Sequence, residues 1–291
     1  MRYPIAYLIF TTVAFGQLSP ADQRIADLTD LIDRKPDFGA AYYARGYAYL
    51  SANKYSLAEP DFSKAIELKP TAAAYAGRGE VYLATQRPDL AITDLSSAIA
   101  IKPDNPNYYL RRANSYRAQG SCQQAIPDYS EAFRLLRIAE ALRGRSACRK
   151  QIGDLAGAAE DDRVLENMDA AGKWPLPVAT PTASNRAEKA PAPPAPPYQT
   201  SGPNSQPSIL FKVEPEYSEE ARKAKFQGTV TLSVVVSQFG EAQNIKVVKP
   251  LGLGLDQRAI ESVQNWVFKA GRKDGQPVSV YATIEVTFHL L

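Results

Sequence analysis

The chain has 291 residues, of which 45% are hydrophobic and 22% are charged. Such a composition can bury a hydrophobic core, so it excludes a chain that is disordered throughout. Its 34 basic residues are interleaved with 31 acidic ones, and the formal net charge is only +3. That pattern argues against a nucleic-acid-binding protein, which concentrates basic residues on one face.

The first residues have the pattern of an export signal. Arg2 precedes an apolar run over residues 3–15, and small residues lead up to Gly16, where we expect cleavage. A membrane-spanning helix needs about 20 apolar residues, and this run is shorter and contains Pro4. We therefore expect residues 1–16 to be a signal peptide of an exported protein rather than a membrane anchor.

A period of 33 to 34 residues runs through the next part of the chain. The sequence AAYYARGYAYL from Ala40 recurs as AAYAGRGEVYL from Ala73 and as NYYLRRANSYR from Asn107. Small residues let two helices cross closely, and large aromatic residues fill the gaps between neighbouring helix pairs. The pattern resembles the tetratricopeptide repeat (TPR), which implies an all-α solenoid over residues 22–168.

The two ends of this stack depart from the repeat. Residues 139–168 form a degenerate unit, with Ser146 where glycine stands in earlier units, and we expect it to be a polar cap. Ile25, Leu28 and Leu31 match only the second helix of a unit. The stack is therefore predicted to begin with a half repeat.

Resemblance to TPR proteins also implies a protein-binding groove along the first helix of each unit. The residues are too mixed to form a basic clamp for a peptide carboxylate, so they specify no ligand. The alternative is that these side chains are the solvated faces of amphipathic helices. The predicted groove residues are Tyr43, Tyr47, Glu80, Leu110, Asn114, Arg117 and Arg143.

The two cysteines, Cys122 and Cys148, lie within the repeats. An oxidising compartment would let them form a disulfide. Such a bridge would contribute about 3 kcal/mol in the chain-entropy model. Two free, buried thiols are the alternative.

Residues 173–207 are rich in proline and poor in large apolar side chains, as in the stretch APAPPAPPYQTSGPNSQP. A segment of this composition cannot form a core. Proline-rich chain favours polyproline II at about 3.1 Å per residue, so the segment could span roughly 100 Å. We expect a disordered linker, which could reach across a compartment, act as a plain spacer, or bind an aromatic groove.

A small α+β domain is predicted over residues 208–291. Alternating apolar residues predict one strand over residues 229–237 and a second near residues 244–248, with a turn at Phe239 and Gly240 between them. These strands form a hairpin.

A helix and a long strand follow this hairpin. Asp256 is predicted to cap the helix, with Ile260, Val263 and Val267 on its buried face and Trp266 and Phe268 near its end. Apolar residues then alternate with polar ones from Val278 to Leu290. The alternation predicts a final strand with one buried face and one wet face.

The same region resembles the C-terminal domain of the TonB energy-transducer family. The resemblance lies in the sequences EPEYSEEARKAKFQGTV, LGLGLDQRAIESVQNWVFKAG and DGQPVSVYATIEVTF, in the family's order and spacing. One departure is Ser218, where a proline commonly follows the tyrosine. The domain in that family binds periplasmic segments of outer-membrane transporters, whose short box peptide adds as a strand beside the last strand of the domain.

Strand addition has a general physical basis, because an edge strand presents unpaired N–H and C=O groups that a peptide can complete. A purely structural role is the alternative for each candidate, since strand alternation also explains its identity. By resemblance, the peptide-binding candidates are Pro215, Tyr217, Tyr281, Thr283, Glu285 and Thr287.

Energised members of the TonB family need a membrane-spanning N-terminal helix, which the predicted leader does not resemble. The resemblance therefore implies a periplasmic protein-binding component of a TonB-type transport system. Its C-terminal domain would bind an outer-membrane TonB-dependent receptor or another envelope protein, and its TPR groove would bind a second protein partner. The alternative is a scaffold for envelope assembly without energy transduction.

Sequence patterns typical of an enzyme are missing. The one histidine, His289, lies on the final strand with no nucleophile arranged around it by sequence, which argues against a catalytic triad. The two cysteines form no CxxC pair, which argues against a zinc site. We expect no catalytic residue, metal, cofactor or small-molecule substrate.

Overall fold

The computed structural model describes residues 19–168 and 206–289. The predicted signal peptide at residues 1–16 lies outside these residues. So does the predicted linker, apart from residues 206 and 207. The first described range is helical, and the second contains the strands.

The helices of residues 19–168 pair as the repeat pattern predicts. A leading helix, α1, is followed by four helix pairs, α2 with α3, α4 with α5, α6 with α7 and α8 with α9, which confirms the predicted solenoid with a half repeat at its start. The nine helices are α1 (Pro20–Arg34), α2 (Gly39–Ser51), α3 (Tyr55–Leu68), α4 (Ala72–Ala84), α5 (Pro88–Ile101), α6 (Pro106–Ala118), α7 (Cys122–Leu136), α8 (Ala139–Gln151) and α9 (Leu155–Glu166).

Small residues lie where helices cross. A Cβ atom added at Gly77 would stand 2.6 Å from the buried ring of Phe62, and one at Gly144 would stand 2.3 Å from the ring of Tyr129. Both distances are shorter than carbon–carbon contact allows. Glycine at these positions therefore lets large aromatic residues fill the space between helices.

A ladder of buried ion pairs also runs through the stack. In each of the four helix pairs, an arginine of the first helix binds an aspartate of the second helix sixteen residues later, and the aspartates are only 1–6% exposed. Each arginine also donates from Nη1 to a hydroxyl in the preceding unit, over 2.9–3.1 Å. The pairs are Arg45–Asp61, Arg78–Asp94, Arg112–Asp128 and Arg145–Asp161, and the hydroxyls belong to Thr29, Ser63, Ser96 and Ser130.

The C-terminal domain is an antiparallel sheet of three strands in the order β3-β2-β7, with shorter elements around it. Its core combines the inward side chains of the sheet with those of α11 and with Trp266. The elements are β1 (Ser208–Phe211), α10 (Glu219–Lys223), β2 (Gly228–Val236), β3 (Ala242–Lys249), α11 (Leu255–Val263), β4 (Val267–Lys269), β5 (Gly271–Lys273), β6 (Gln276–Val278) and β7 (Val280–Phe288).

The helix α11 differs from its sequence prediction at both ends. Gly254 is the N-cap residue, in the left-handed conformation with φ of 74°, and Asp256 lies inside the first turn. The Asp256 carboxylate instead accepts hydrogen bonds from the backbone N–H groups of Leu251 and Gly252, at 2.7 and 3.0 Å. The prediction of an Asp256 cap is therefore wrong, although this side chain still fixes the loop before the helix.

The helix also ends earlier than predicted, at Val263. Val267 and Phe268 lie on β4, which pairs antiparallel with β1. The predicted helical face that included Val267 is wrong, because a short apolar run has no periodicity that separates helix from strand. The predicted final strand is broken between β6 and β7, and Leu290 lies outside the described residues.

Candidate peptide-binding surfaces

The strand β7 forms one edge of the main sheet. It pairs with β2 in unbroken register from Gly228↔Phe288 to Val236↔Val280. On its other side, β7 has no strand partner within residues 19–168 and 206–289. This edge therefore offers backbone N–H and C=O groups to an incoming strand.

The side chains of β7 alternate as the sequence predicts. Apolar residues such as Ile284 and Val286 are buried against the core. The candidate residues Tyr281, Thr283, Glu285 and Thr287 are exposed on the opposite face. These four residues share one solvent-exposed surface beside the free edge of β7.

The other two candidates from the C-terminal domain, Pro215 and Tyr217, have different surroundings. The ring of Tyr217 packs edge-on against Phe288, at the end of β7, with centroids 5.6 Å apart. Its buried hydroxyl has no hydrogen-bond partner among the described residues, and this burial raises the Tyr217 pKa. Pro215 lines a cavity that faces the repeats. Tyr217 therefore lies beside β7, whereas Pro215 belongs to the side of the domain that meets the helices.

Two predicted groove residues of the repeats, Tyr43 and Tyr47, contact the C-terminal domain. The ring of Phe211 packs edge-on against both tyrosines, with centroid distances of 5.3 and 5.7 Å. Burial raises the pKa of the Tyr43 hydroxyl, while Tyr47 remains 44% exposed. The first unit of the groove is thus already in contact with β1.

The remaining groove candidates lie in different environments. Glu80 forms an ion pair with Arg111, and Asn114 accepts a hydrogen bond from the Tyr129 hydroxyl at 2.7 Å. Leu110 is only 7% exposed and packs in the core between α6 and α7, so it is a core residue rather than a groove residue. Arg117 and Arg143 have exposed positions on α6 and α8.

A cavity of about 1010 Å³ separates parts of the repeats from the C-terminal domain. Its walls include Tyr43 and Tyr108 from the repeats and Pro215 and Glu216 from the other side. Burial, assisted by the negative charge of Glu216, raises the pKa of Tyr108 to about 12. The cavity therefore brings repeat tyrosines and a domain carboxylate into one electrostatic environment.

The cysteines of α7 and α8 are adjacent in space. The structure joins Cys122 and Cys148, whose Cα atoms are 4.9 Å apart, within the usual range for a disulfide. Both residues are buried. The predicted bridge would connect the third helix pair to the last one.

Residues 19–168 and 206–289 contain no group of three His, Cys, Asp or Glu side chains that could hold a metal ion. Within the same ranges, every helix is too short or too polar to cross a membrane.

Two known families match separate stretches of the chain. Residues 213–290 match the family described as the Gram-negative bacterial TonB protein C-terminal. The chain carries a TonB C-terminal domain. Residues 25–73 and 43–106 match the tetratricopeptide repeat family, so the TonB C-terminal domain follows TPR helix pairs.

Curated relatives agree with this assignment. Protein tonB2 of Pseudomonas aeruginosa is 31% identical over 116 residues, and protein TonB of Vibrio cholerae serotype O1 is 31% identical over 106 residues. Each match covers 34% of this chain and 43% of the relative. The chain therefore spans less than half the length of the curated relatives that it matches.

MamA and YrrB are among the solved structures to which this chain is similar. The crystal structure of MamA has 17% sequence identity and a TM-score of 0.48, and covers 50% of this chain and 92% of that chain. The crystal structure of YrrB, described as a TPR protein with an unusual peptide-binding site, has 17% identity and a TM-score of 0.45 and covers 48% of this chain and 74% of that chain. The repeat assignment itself rests on the family match and the paired helices.

Proposed function

We propose that the protein is a non-enzymatic, periplasmic component of a TonB-type transport system. Its TonB C-terminal domain binds a peptide segment of an outer-membrane TonB-dependent receptor. The signal peptide predicted at residues 1–16 supports export, and the family match at residues 213–290 supports the link to TonB. The single observation that carries the proposal is the free edge of β7.

The binding reaction is strand addition to β7. An extended receptor segment pairs its backbone with the open N–H and C=O groups, which supplies affinity independent of side chains. Tyr281, Thr283, Glu285 and Thr287 stand on the wet face beside this edge, where they contact the alternate side chains of the segment. Binding of this kind needs no catalytic group, metal or cofactor.

The repeats supply a second protein-binding surface in this proposal. Arg117 and Arg143 present exposed positive charge on α6 and α8. Glu80 and Asn114 line the same series of first helices. This series of first helices is therefore the proposed site for the second protein partner.

Hydrogen exchange on the whole chain tests strand addition directly. The chain is incubated with peptides from the periplasmic ends of outer-membrane transporters, and backbone exchange is followed by mass spectrometry. We expect slower exchange concentrated in residues 281–287, because a new strand would complete the hydrogen bonds of this edge. A peptide with a central proline is the matched control, since proline cannot donate to a strand ladder.

A pair of charge reversals shows whether binding depends on the edge of β7 or on the overall charge of the domain. Glu285→Lys is expected to change peptide affinity, whereas the same change at exposed Glu220 on α10 is expected to leave it unaltered. No protection of residues 281–287 at millimolar peptide would contradict receptor binding. That result would favour the alternative role of an envelope assembly scaffold.

A further inference from the structure

The first two helices of the repeats share an apolar cluster with the C-terminal domain. Leu28, Leu31 and Ile32 of α1, with Phe38 at the start of α2, are buried in this cluster. Val267 of β4 is 0% exposed and belongs to the same cluster rather than to the core of its own domain. The residues of the domain packed around it are Leu210, Phe211 and Phe239.

The ring of Phe211 extends this contact onto the groove. It meets Tyr43 and Tyr47 edge-on, at 5.3 and 5.7 Å. Aromatic pairs in this orientation attract each other beyond the burial of their surface. The contact occupies the same two tyrosines that the repeat pattern assigns to partner binding.

Four ion pairs also join the two parts of the chain. Each joins a repeat residue to a domain residue, so polar contacts accompany the apolar cluster, as they do in specific protein interfaces. The pairs are Lys269–Asp27 at 2.9 Å, Lys102–Glu216 at 3.0 Å, Arg258–Asp104 at 3.8 Å, and Lys35–Glu241.

We propose that α1, α2 and the turn between α5 and α6, which carries Lys102 and Asp104, form a docking surface for the TonB C-terminal domain of the same chain. The charges are complementary at each of these four pairs, and Val267 is buried in a cluster that it shares with α1. Because the two parts belong to one chain, even a weak surface stays occupied at high effective concentration. This inference goes beyond receptor binding and concerns a different face of the domain.

Docking affects the two proposed binding sites, the edge of β7 and the groove of the repeats, differently. Tyr281 on β7 remains 48% exposed, so a receptor segment can add to this edge while the domain is docked. A partner that uses Tyr43 and Tyr47 must first displace Phe211. Docking therefore closes the first unit of the groove and keeps the sheet edge open.

Zero-length carbodiimide cross-linking of the whole chain tests this proposal, because the reagent joins a lysine amine to a carboxylate in direct contact. We expect cross-links between Lys269 and Asp27, Lys35 and Glu241, and Lys102 and Glu216, identified by mass spectrometry. Yields independent of protein concentration would show that each link forms within one chain. Absence of all three links would overturn the proposal.

Two sets of variants show whether the contacts hold the domain in place. Phe211→Asp puts a charge between two tyrosine rings, and we expect the Lys35–Glu241 and Lys102–Glu216 cross-links to fall severalfold. Ile209→Asp is the matched control, because Ile209 lies on the same strand but is 49% exposed. Unchanged yields with Phe211→Asp would refute the docking surface.

Exchanging the charges of Asp27 and Lys269 distinguishes a loss of docking from a general loss of folding. Asp27→Lys alone places two positive charges together, and we expect the yields of the Lys35–Glu241 and Lys102–Glu216 cross-links to fall. Adding Lys269→Glu restores an opposite pair and should restore their yields. Lys64→Glu, a charge reversal at a lysine that pairs within its own helix, should have no effect. Failure of the exchange to restore docking would contradict the proposed pairing.

Discussion

Different interactions stabilise the repeats and the TonB C-terminal domain. In the repeats, neighbouring helices are held by small residues, aromatic rings and a buried arginine–aspartate pair in every unit. The C-terminal domain instead buries the apolar face of one sheet under a short helix. The comparison shows that buried ion pairs can be part of the packing in a helical stack, whereas the core of the domain is mainly apolar.

The largest expected effect comes from breaking one rung of the ladder. Asp94 is 4% exposed and accepts hydrogen bonds from Arg78 at 2.7 and 2.9 Å. Asp94→Ala would leave a mostly buried cation without its partner, so we expect the free energy of unfolding to fall by about 3–5 kcal/mol. Urea denaturation followed by circular dichroism measures this change.

An exposed ion pair supplies the control for that measurement. Glu67 pairs with Lys64 at 2.6 Å on the surface of α3. Glu67→Ala is expected to change the free energy of unfolding by less than about 1 kcal/mol, because solvent screens an exposed pair. If Asp94→Ala and Glu67→Ala lowered the free energy of unfolding by similarly small amounts, the buried ion pairs would not stabilise the repeats more than exposed pairs do.

The next effect concerns the disulfide, which affects only the repeats. Reduction, or the double change Cys122→Ala and Cys148→Ala, is expected to lower the free energy of unfolding of the helical part by about 3 kcal/mol. Alkylation without reductant should leave the mass unchanged if the bridge exists. Two adducts per chain would refute the bridge. An equal decrease in the stability of the C-terminal sheet would contradict the prediction that the bridge stabilises only the repeats.

The smallest effects come from two tyrosine hydroxyls, one in each part. Tyr129 is buried in the repeats and donates to Asn114, so Tyr129→Phe is expected to lower the free energy of unfolding by about 1 kcal/mol. The buried Tyr217 hydroxyl has no partner among the described residues, so Tyr217→Phe should leave stability unchanged or raise it by about 1 kcal/mol. Thermal unfolding of both variants measures the contrast. A loss at Tyr217 equal to that at Tyr129 would indicate that its hydroxyl is satisfied by water.

Much of the fold could be predicted because its signals are periodic. The 33 to 34 residue spacing indicated the helix pairs, and strict alternation indicated β2 and β7. The ladder carries the same period, since Arg45 and Arg78 recur 33 positions apart. It could have been predicted by aligning charged residues along with the small and aromatic ones.

Other features depend on contacts that sequence periodicity does not encode. Val267 was predicted to continue a helix, but it pairs in β4 and is buried together with residues of α1. Leu110 occupies a groove position in the repeat pattern, yet its side chain packs in the core. The position of Pro215 in the wall of the cavity likewise depends on how the domain packs against the helices.

The hydroxyl contacts of the ladder have a consequence for cooperativity. Each arginine joins the two helices of its own unit and also contacts the unit before it. In a stack where each unit touches only its neighbours, such contacts couple the unfolding of adjacent units. Replacing Ser96, the hydroxyl bound by Arg112, would therefore weaken one coupling and favour unfolding of the stack in two separate blocks.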